Sequence, residues 1–388
     1  MSTYSLSAKS SMESLQSSSS LQSAPDKLAP AVTGPMVWKG SELHPAKYVL
    51  TLDASEVENI RSAVISFKLL GLPRSEINKS TFPLTSALAS KLSAISTAIH
   101  RGSGVAVLRG LDAANFNDEE ATIAFAGVSS YVCALRATDS YANQTLSHVR
   151  DATHDTVPEW ARNIGLAGSK ITSAMDFHSD RFSGDILALH VRDDGGVRSG
   201  GEQYVASFWQ IYNELLEKDP AILETMATAN WPFELKQKDR EPYLELGPTL
   251  FFSKGKPMCQ LVKAPLLGSP RIPRDPKMPA LSAEQMHALH AVEELAKQFC
   301  TQLDRQKGDI QFINNLSIMH ARAAYGAGQK RSTRHLLRMF LRDPAEAWEK
   351  PASFKTNFDD PFTPGRQQNL PVVDSDPWRK ISGRESHG

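Results

Sequence analysis

The alternation of apolar and polar positions along the chain predicts a sheet core covered by a few helices. Three stretches repeat apolar residues at helical spacing after a capping residue, which predicts three helices. They run from Asn117 to about Leu135, from Ser207 to about Leu216, and from Ser282 to about Leu303. Five short apolar stretches have the character of strands: Gly104–Arg109, Asp185–Val191, Thr249–Ser253, Asp309–Asn314 and Arg334–Arg342. Strands joined by Gly-rich turns and interrupted by isolated helices indicate a mainly β fold with covering helices.

The two ends of the chain differ in composition from the middle. Residues 1–35 are rich in Ser and poor in large apolar side chains, so we expect a disordered tail. Residues 36–358 are expected to form one domain, and residues 359–388, rich in Pro, Asp and Arg, a loosely ordered C-terminal tail. Loops at about 234–245 and 266–279 are expected to shape the ligand pocket.

Composition narrows the class of function. The 43 basic and 43 acidic residues cancel, so no overall field would attract nucleic acid or a membrane surface. Cys133, Cys259 and Cys300 are far apart, which argues against a disulfide framework or a zinc–thiolate site. We expect no membrane span and no secretory signal, because no run of 18 or more apolar residues and no short apolar N-terminal core is present. We therefore expect a soluble, cytoplasmic protein that acts on a small molecule, and homo-oligomerisation stays open.

Three side chains are candidate metal ligands. Residues at i and i+2 of an extended strand point to the same side, so His178 and Asp180 can face one cavity. A second imidazole would complete the two-histidine, one-carboxylate set of non-haem iron(II) oxygenases, which leaves coordination positions open. His320 is the candidate for this imidazole. It follows the apolar strand at 310–314, and a closed β fold would bring it close to His178 and Asp180.

The last predicted strand adds buried positive charge. Strand alternation places Arg334, Leu336, Arg338 and Phe340 on one face, and His335, Leu337, Met339 and Leu341 on the other. If the apolar face packs under helices, both arginines face the interior, where an anionic ligand is their natural partner. Arg322 and Arg331 are expected on loops.

These residues alone leave other interpretations open. A lone His-x-Asp tripeptide arises by chance, and the arginines could lie on an exposed edge strand or pair with internal acids. Two histidines and one carboxylate also suit a metal-dependent hydrolase. A third hypothesis, after the oxygenase and the hydrolase, is a non-catalytic jelly-roll binding protein.

Several strings, in order and at consistent spacing, resemble the TauD/TfdA family of iron(II)- and 2-oxoglutarate-dependent dioxygenases, and more closely a fungal branch of it. The similarity extends from about Gly104 to Asp343. The strings are those at 144–151, Phe177-His178-Ser179-Asp180, those at 184–189 and 308–315, Met319-His320-Ala321-Arg322 and Arg334-His335-Leu336-Leu337-Arg338.

The resemblance implies a double-stranded β-helix, the jelly-roll or cupin-like fold, and a site. It implies His178, Asp180 and His320 as iron ligands, with Arg334 binding the distal carboxylate of 2-oxoglutarate. Gln203 stands where the family often has a cosubstrate-binding Thr. Arg338 falls at a substrate-binding position, and Phe177, where taurine-type enzymes commonly have Trp, is expected with Phe340 to shape the substrate pocket.

The reaction implied by the family consumes O2 and 2-oxoglutarate and releases succinate and CO2. Hydroxylation of an unactivated C–H bond is the expected outcome, with cyclisation or desaturation as variants. We expect the substrate to be a small carboxylate- or amino-acid-like molecule of fungal secondary metabolism.

Overall fold

The computed structural model describes residues 28–112, 116–140, 143–159, 166–196, 199–237, 240–268, 273–326, 331–374 and 377–378. Most of the predicted N-terminal tail and the end of the predicted C-terminal tail lie outside these residues.

The described strands, in chain order, are β1 (Val49–Thr51), β2 (Val105–Arg109), β3 (Leu135–Arg136), β4 (Ser147–Arg150), β5 (Met175–His178), β6 (Ile186–Asp193), β7 (Gln203–Ser207), β8 (Trp231–Gln237), β9 (Arg240–Gly247), β10 (Leu250–Ser253), β11 (Lys256–Cys259), β12 (Thr301–Gln302), β13 (Ile310–Asn314), β14 (Ile318–Arg322) and β15 (His335–Arg342). The described α-helices are α1 (Ala54–Leu70), α2 (Ser86–Arg101), α3 (Asp118–Val132), α4 (Phe208–Lys218), α5 (Pro220–Ala227), α6 (Ala264–Leu267), α7 (Ala283–Phe299) and α8 (Lys355–Asp359).

Two sheets face each other across an apolar interior. The major sheet has the order β1-β2-β13-β6-β15-β3, and β4 also pairs with β15. The minor sheet has the order β12-β7-β14-β5. Within the described residues no strand belongs to both sheets, so the barrel is not closed by backbone hydrogen bonds. Two further hairpins, β8–β9 and β10–β11, stand beside them.

Helices cover the outer face of each sheet. Residues of α1, α2 and α3 pack with Ile310, Phe312 and Met339 of the major sheet into one apolar cluster. Residues of α4, α5 and α7 pack with Ala206 and Met319 of the minor sheet into a second. A third cluster fills the space between the sheets. The expectation of a sheet core covered by helices is confirmed.

The predicted elements are present with small shifts at their ends. Asn117, Ser207 and Ser282 each cap a helix through the side chain, which accepts the backbone N–H three residues later. The third predicted helix ends earlier than expected, because Thr301–Gln302 leaves it to form edge strand β12.

Some elements were not anticipated. The expected loop at 234–245 is mostly the hairpin β8–β9, whose residues 238–239 lie outside the described part, as do residues 269–272 of the second expected loop. The segment before Met36 already packs on α4: Tyr212 Oη donates to Ala29 O, and Asn213 exchanges two hydrogen bonds with Val32. Residues 368–370 near the C-terminus also contact the major sheet: the backbone N–H of Leu146, which directly precedes β4, donates a hydrogen bond to Asn369 O.

No helix in the described part of the chain is long and apolar enough to cross a membrane.

Replacing Phe312 with Ala should destabilise the fold. Phe312 is fully buried on β13 under the helices of the major sheet, so truncation leaves a cavity that costs about 3–5 kcal/mol of unfolding free energy. Denaturant unfolding monitored by circular dichroism measures it. Leu69→Ala on α1 is the control, since Leu69 is 83% exposed and its loss should cost less than about 0.5 kcal/mol. Equal effects of the two substitutions would contradict the assigned core.

Candidate active site

The three predicted metal ligands lie together at the inner face of the minor sheet. His178 ends β5 and stands opposite His320 of β14 in the antiparallel register, with ring centroids 4.2 Å apart. His320 Nε2 is 3.3 Å from one Asp180 carboxylate oxygen, and His178 Nε2 is 4.0 Å from the other. One potential ligand atom from each residue lies within 4.8 Å of those of the other two. The structure therefore brings together residues that are 142 positions apart (320 − 178).

The surroundings of His178 favour a ligating imidazole. Its Nδ1 is 2.7 Å from Asp176 O, and because a carbonyl only accepts, Nδ1 carries the proton and Nε2 presents its lone pair to the site. Burial, with the neighbouring His320, lowers the pKa of His178 to about 3, so the ring is neutral at physiological pH. A neutral imidazole with a fixed tautomer is the form that binds a metal ion.

Asp180 is held by a side chain that the sequence pattern did not single out. Asp180 N donates to Asn315 Oδ1 at 2.8 Å, and Asn315 Nδ2 donates back to Asp180 O at 2.7 Å. The same Nδ2 also donates to Gly184 O. Asn315 thus fixes the turn after β5 that carries the carboxylate. Its position two residues after an apolar stretch, in the string Asn314-Asn315, was the available signal.

The donor set fits a divalent metal ion. Two imidazoles and one carboxylate converge from β14, β5 and the turn after β5, and His178 and Asp180 are both buried. This combination of nitrogen and oxygen donors suits iron(II), and three ligands leave positions open for a substrate or cosubstrate.

Arg334 lies deep in the interior, just before β15, and is 1% exposed. Its Nε and Nη1 have no hydrogen-bond partner among the described residues. Burial lowers the pKa of Arg334 to about 9, and the nearby positive charges of Arg305 and Arg322 act in the same direction. A buried guanidinium with unpaired donors is costly unless an anion binds there.

Glycine at position 201 makes room for this guanidinium. Gly201 has φ +77°, and a Cβ built there would lie 2.7 Å from Arg334 Nε. Both a positive φ and the close approach require glycine. The Gly200-Gly201 turn therefore has a specific role beside Arg334.

Arg322 and Gln203 share the inner face that carries His320. They are register partners on β14 and β7, two positions from His320 and Val205 respectively. Gln203 is 8% exposed, and its Oε1 has no partner among the described residues. The expectation that Arg322 lies on a loop is wrong, because Arg322 is buried at the end of β14. Arg331 is exposed outside the strands and pairs with Asp155, as expected for a loop residue.

The faces of β15 are arranged as the alternation predicted. Leu337, Met339 and Leu341 pack under the helices, whereas Leu336 and Phe340 belong to the cluster between the sheets. Arg338 shares the inner face, is 8% exposed and donates from Nε to Ser147 Oγ at 3.1 Å. Burial lowers its pKa, and the negative charge of Asp180 partly opposes that shift. Arg338 is thus close to the proposed metal ligands.

Arg338 and Phe340 open onto a pocket. Its cavity volume is about 30 Å³, it is partly open to solvent, and polar and apolar atoms share its walls about equally. The lining residues are Ala137, Asp139, Gln144, Thr145, Ser147, Ser183, Arg338, Phe340 and Pro361.

Phe177 lies on the other side of β5. Its side chain packs in the apolar cluster beneath α4, α5 and α7, on the face opposite to His178. Its predicted effect on the substrate pocket would therefore have to act through the placement of β5.

Known proteins share both the sequence pattern and the fold. The family model described as "Taurine catabolism dioxygenase TauD, TfdA family" matches residues 68–340. The taurine hydroxylase-like protein SAT17 of Stachybotrys chartarum is 30% identical over 361 residues, which is 92% of each chain. The FR-33289 synthase of Streptomyces rubellomurinus is 24% identical over 317 residues, covering 80% of this chain and 90% of its own.

Solved structures of two oxygenases share the fold. An asparagine oxygenase in complex with Fe(II), 3-hydroxyasparagine and succinate has a TM-score of 0.55 at 14% identity, covering 79% of this chain and 99% of its own. The non-haem iron oxygenase OrfP, in complex with Fe and α-ketoglutaric acid, has a TM-score of 0.53 at 13% identity, covering 76% and 94%. These likenesses confirm the jelly-roll core. With the family match over most of the chain, they show that this protein belongs to the TauD/TfdA family of iron(II)- and 2-oxoglutarate-dependent dioxygenases.

Proposed function

We propose that this enzyme oxidises an unactivated C–H bond of a small carboxylate- or amino-acid-like molecule, with 2-oxoglutarate converted to succinate and CO2. Hydroxylation is the main outcome: one oxygen atom of O2 enters the substrate and the other enters succinate. One observation carries the proposal: two histidines and one carboxylate lie together in the same protein interior as two buried arginines, Arg334 and Arg338.

His178, Asp180 and His320 would hold the iron. Their ligand atoms lie within 4.8 Å of one another, and the hydrogen bonds of His178 to Asp176 O and of Asp180 to Asn315 fix the two residues. Bound iron and cosubstrate supply the oxidising chemistry, whereas the protein supplies geometry and exclusion of water.

Arg334 would bind the distal carboxylate of 2-oxoglutarate. Its two unpaired nitrogens and its burial make an anion the natural partner, and no carboxylate of the described residues forms an ion pair with it. The Gln203 amide would add a hydrogen bond in place of the family's Thr hydroxyl.

Arg338 would bind an anionic group of the primary substrate. It supplies a positive charge to the described pocket wall and interacts electrostatically with Asp180, which supports substrate binding on the side of the metal ligands. Asp139 contributes a negative charge to the same wall, and a pocket of both signs suits an amino-acid-like zwitterion. The fungal relative's name, taurine hydroxylase-like, agrees with a small charged substrate.

Anaerobic addition of iron(II) and 2-oxoglutarate tests the central assignment. A visible charge-transfer absorption is expected, because it requires both to bind at one centre. Its absence would favour a metal-dependent hydrolase or a binding protein on the same ligand set. A screen of small acids and amino acids for substrate-dependent succinate release, followed by the mass of the product, then identifies the substrate.

Asn315→Ala should weaken metal binding. The substitution removes the two hydrogen bonds between the Asn315 side chain and the Asp180 backbone. Loss of a hydrogen bond that positions a metal ligand raises the metal Kd by about 10- to 100-fold. Titration with iron(II) or manganese(II) under anaerobic conditions measures the change. Asn213→Ala is the matched control, because it removes two similar hydrogen bonds, to Val32. If Asn315→Ala binds metal as tightly as Asn213→Ala, Asn315 does not position Asp180 for the metal.

Arg338→Ala should raise the KM for the primary substrate by about 10- to 100-fold, since it removes a buried, charge-assisted hydrogen-bond donor. Binding of 2-oxoglutarate, which depends on Arg334, should stay nearly unchanged. Succinate release measured at varied substrate and at varied 2-oxoglutarate separates the two effects. Equal loss of both affinities would rule out the substrate role of Arg338.

A further inference from the structure

A second buried arginine has the same unusual surroundings as Arg334. Arg322 is 6% exposed, and its Nε and Nη1 have no hydrogen-bond partner in the described part of the chain. Only Nη2 is bonded, and it donates to the carbonyl oxygens of Ile171 and Ser173. Neither Arg322 nor Arg334 forms an ion pair with a described carboxylate.

One aromatic ring contacts both guanidiniums. The Tyr325 ring centroid is 4.7 Å from Arg322 Cζ and 4.9 Å from Arg334 Cζ. Tyr325 is itself buried, and its backbone N–H is anchored on Thr172 O. Attraction to the ring offsets part of the repulsion between the two cations, but it leaves their unpaired donors unsatisfied.

The direction of Arg322 follows from the register. Arg322 lies two residues after His320 on β14 and opposite Gln203 of β7, so its side chain leaves the sheet on the face that carries the candidate metal ligand. Buried guanidiniums with unpaired donors are costly unless a group of opposite charge binds them. A carboxylate has two oxygens and can accept from both arginines at once.

We infer that Arg322 is a second cationic residue of the cosubstrate site, which binds the distal carboxylate of 2-oxoglutarate together with Arg334, with Tyr325 as the shared support. This inference rests on the proposed function, because it assumes that 2-oxoglutarate binds beside Arg334. It predicts that Arg322 contributes to the preference for 2-oxoglutarate over 2-oxo acids that lack a second carboxylate.

The test compares two cosubstrates in Arg322→Met and Arg322→Gln. Anaerobic titration of the iron(II) protein gives the Kd of 2-oxoglutarate and of 2-oxopentanoate, which has the same 2-oxo acid group and no second carboxylate. Loss of a charged hydrogen-bond donor should raise the Kd of 2-oxoglutarate by about 10- to 100-fold and leave that of 2-oxopentanoate unchanged. The preference for 2-oxoglutarate should fall by the same factor.

The variants and controls separate this role from a structural one. Arg322→Gln keeps an N–H donor for the Ile171 and Ser173 carbonyls, so it gives the same ratio if Arg322→Met does not fold. Arg331→Met, which removes an exposed arginine from the neighbouring segment, should leave both Kd values unchanged. An unchanged preference in Arg322→Gln, or an equal loss of both cosubstrates, would overturn the inference. If the unmutated protein shows no charge-transfer band with 2-oxoglutarate, the proposed function itself fails.

Discussion

The register between β5 and β14 is the constraint on which the site depends. It places His178 directly opposite His320, with both imidazoles on the inner face. A slip of one residue would turn one ring into the helix-covered cluster on the outside of the minor sheet. Alternation within each strand resists such a slip, because Phe177 and Met319 are buried in that outer cluster. Apolar packing on one face therefore fixes the ligand geometry on the other.

The interior also contains an imbalance of charge. Arg322, Arg334 and Arg338 are all buried, whereas the charge of Asp180 acts on one of them, Arg338. Burial disfavours the charged form of each guanidinium. A fold can retain such residues when a bound anion compensates for their desolvation, and a dianionic cosubstrate with an anionic substrate would do so.

The sequence predicted the parts of the site that follow a simple period. Arg338 was placed correctly because β15 alternates strictly between apolar and arginine-bearing faces. Strands β7 and β14 were missed, since Gln203, His320 and Arg322 interrupt their apolar pattern, and these are residues that face the site. Asn315 was overlooked for another reason: its role depends on a turn 135 residues away that only the folded chain brings near.

The absence of a described strand common to both sheets has a mechanical consequence. The histidines belong to the minor sheet, whereas Arg338 belongs to the major sheet and Arg334 directly precedes its strand β15. The distance between the candidate metal ligands and these arginines therefore depends on how thick the layer of side chains between the two sheets is. Val205 and Leu187 belong to that layer, and no continuous ladder of hydrogen bonds between the described strands fixes its thickness. If the arginines bind the acids as proposed, changes of volume in that layer would alter the length of acid that the enzyme accepts, while the metal ligands keep their mutual spacing.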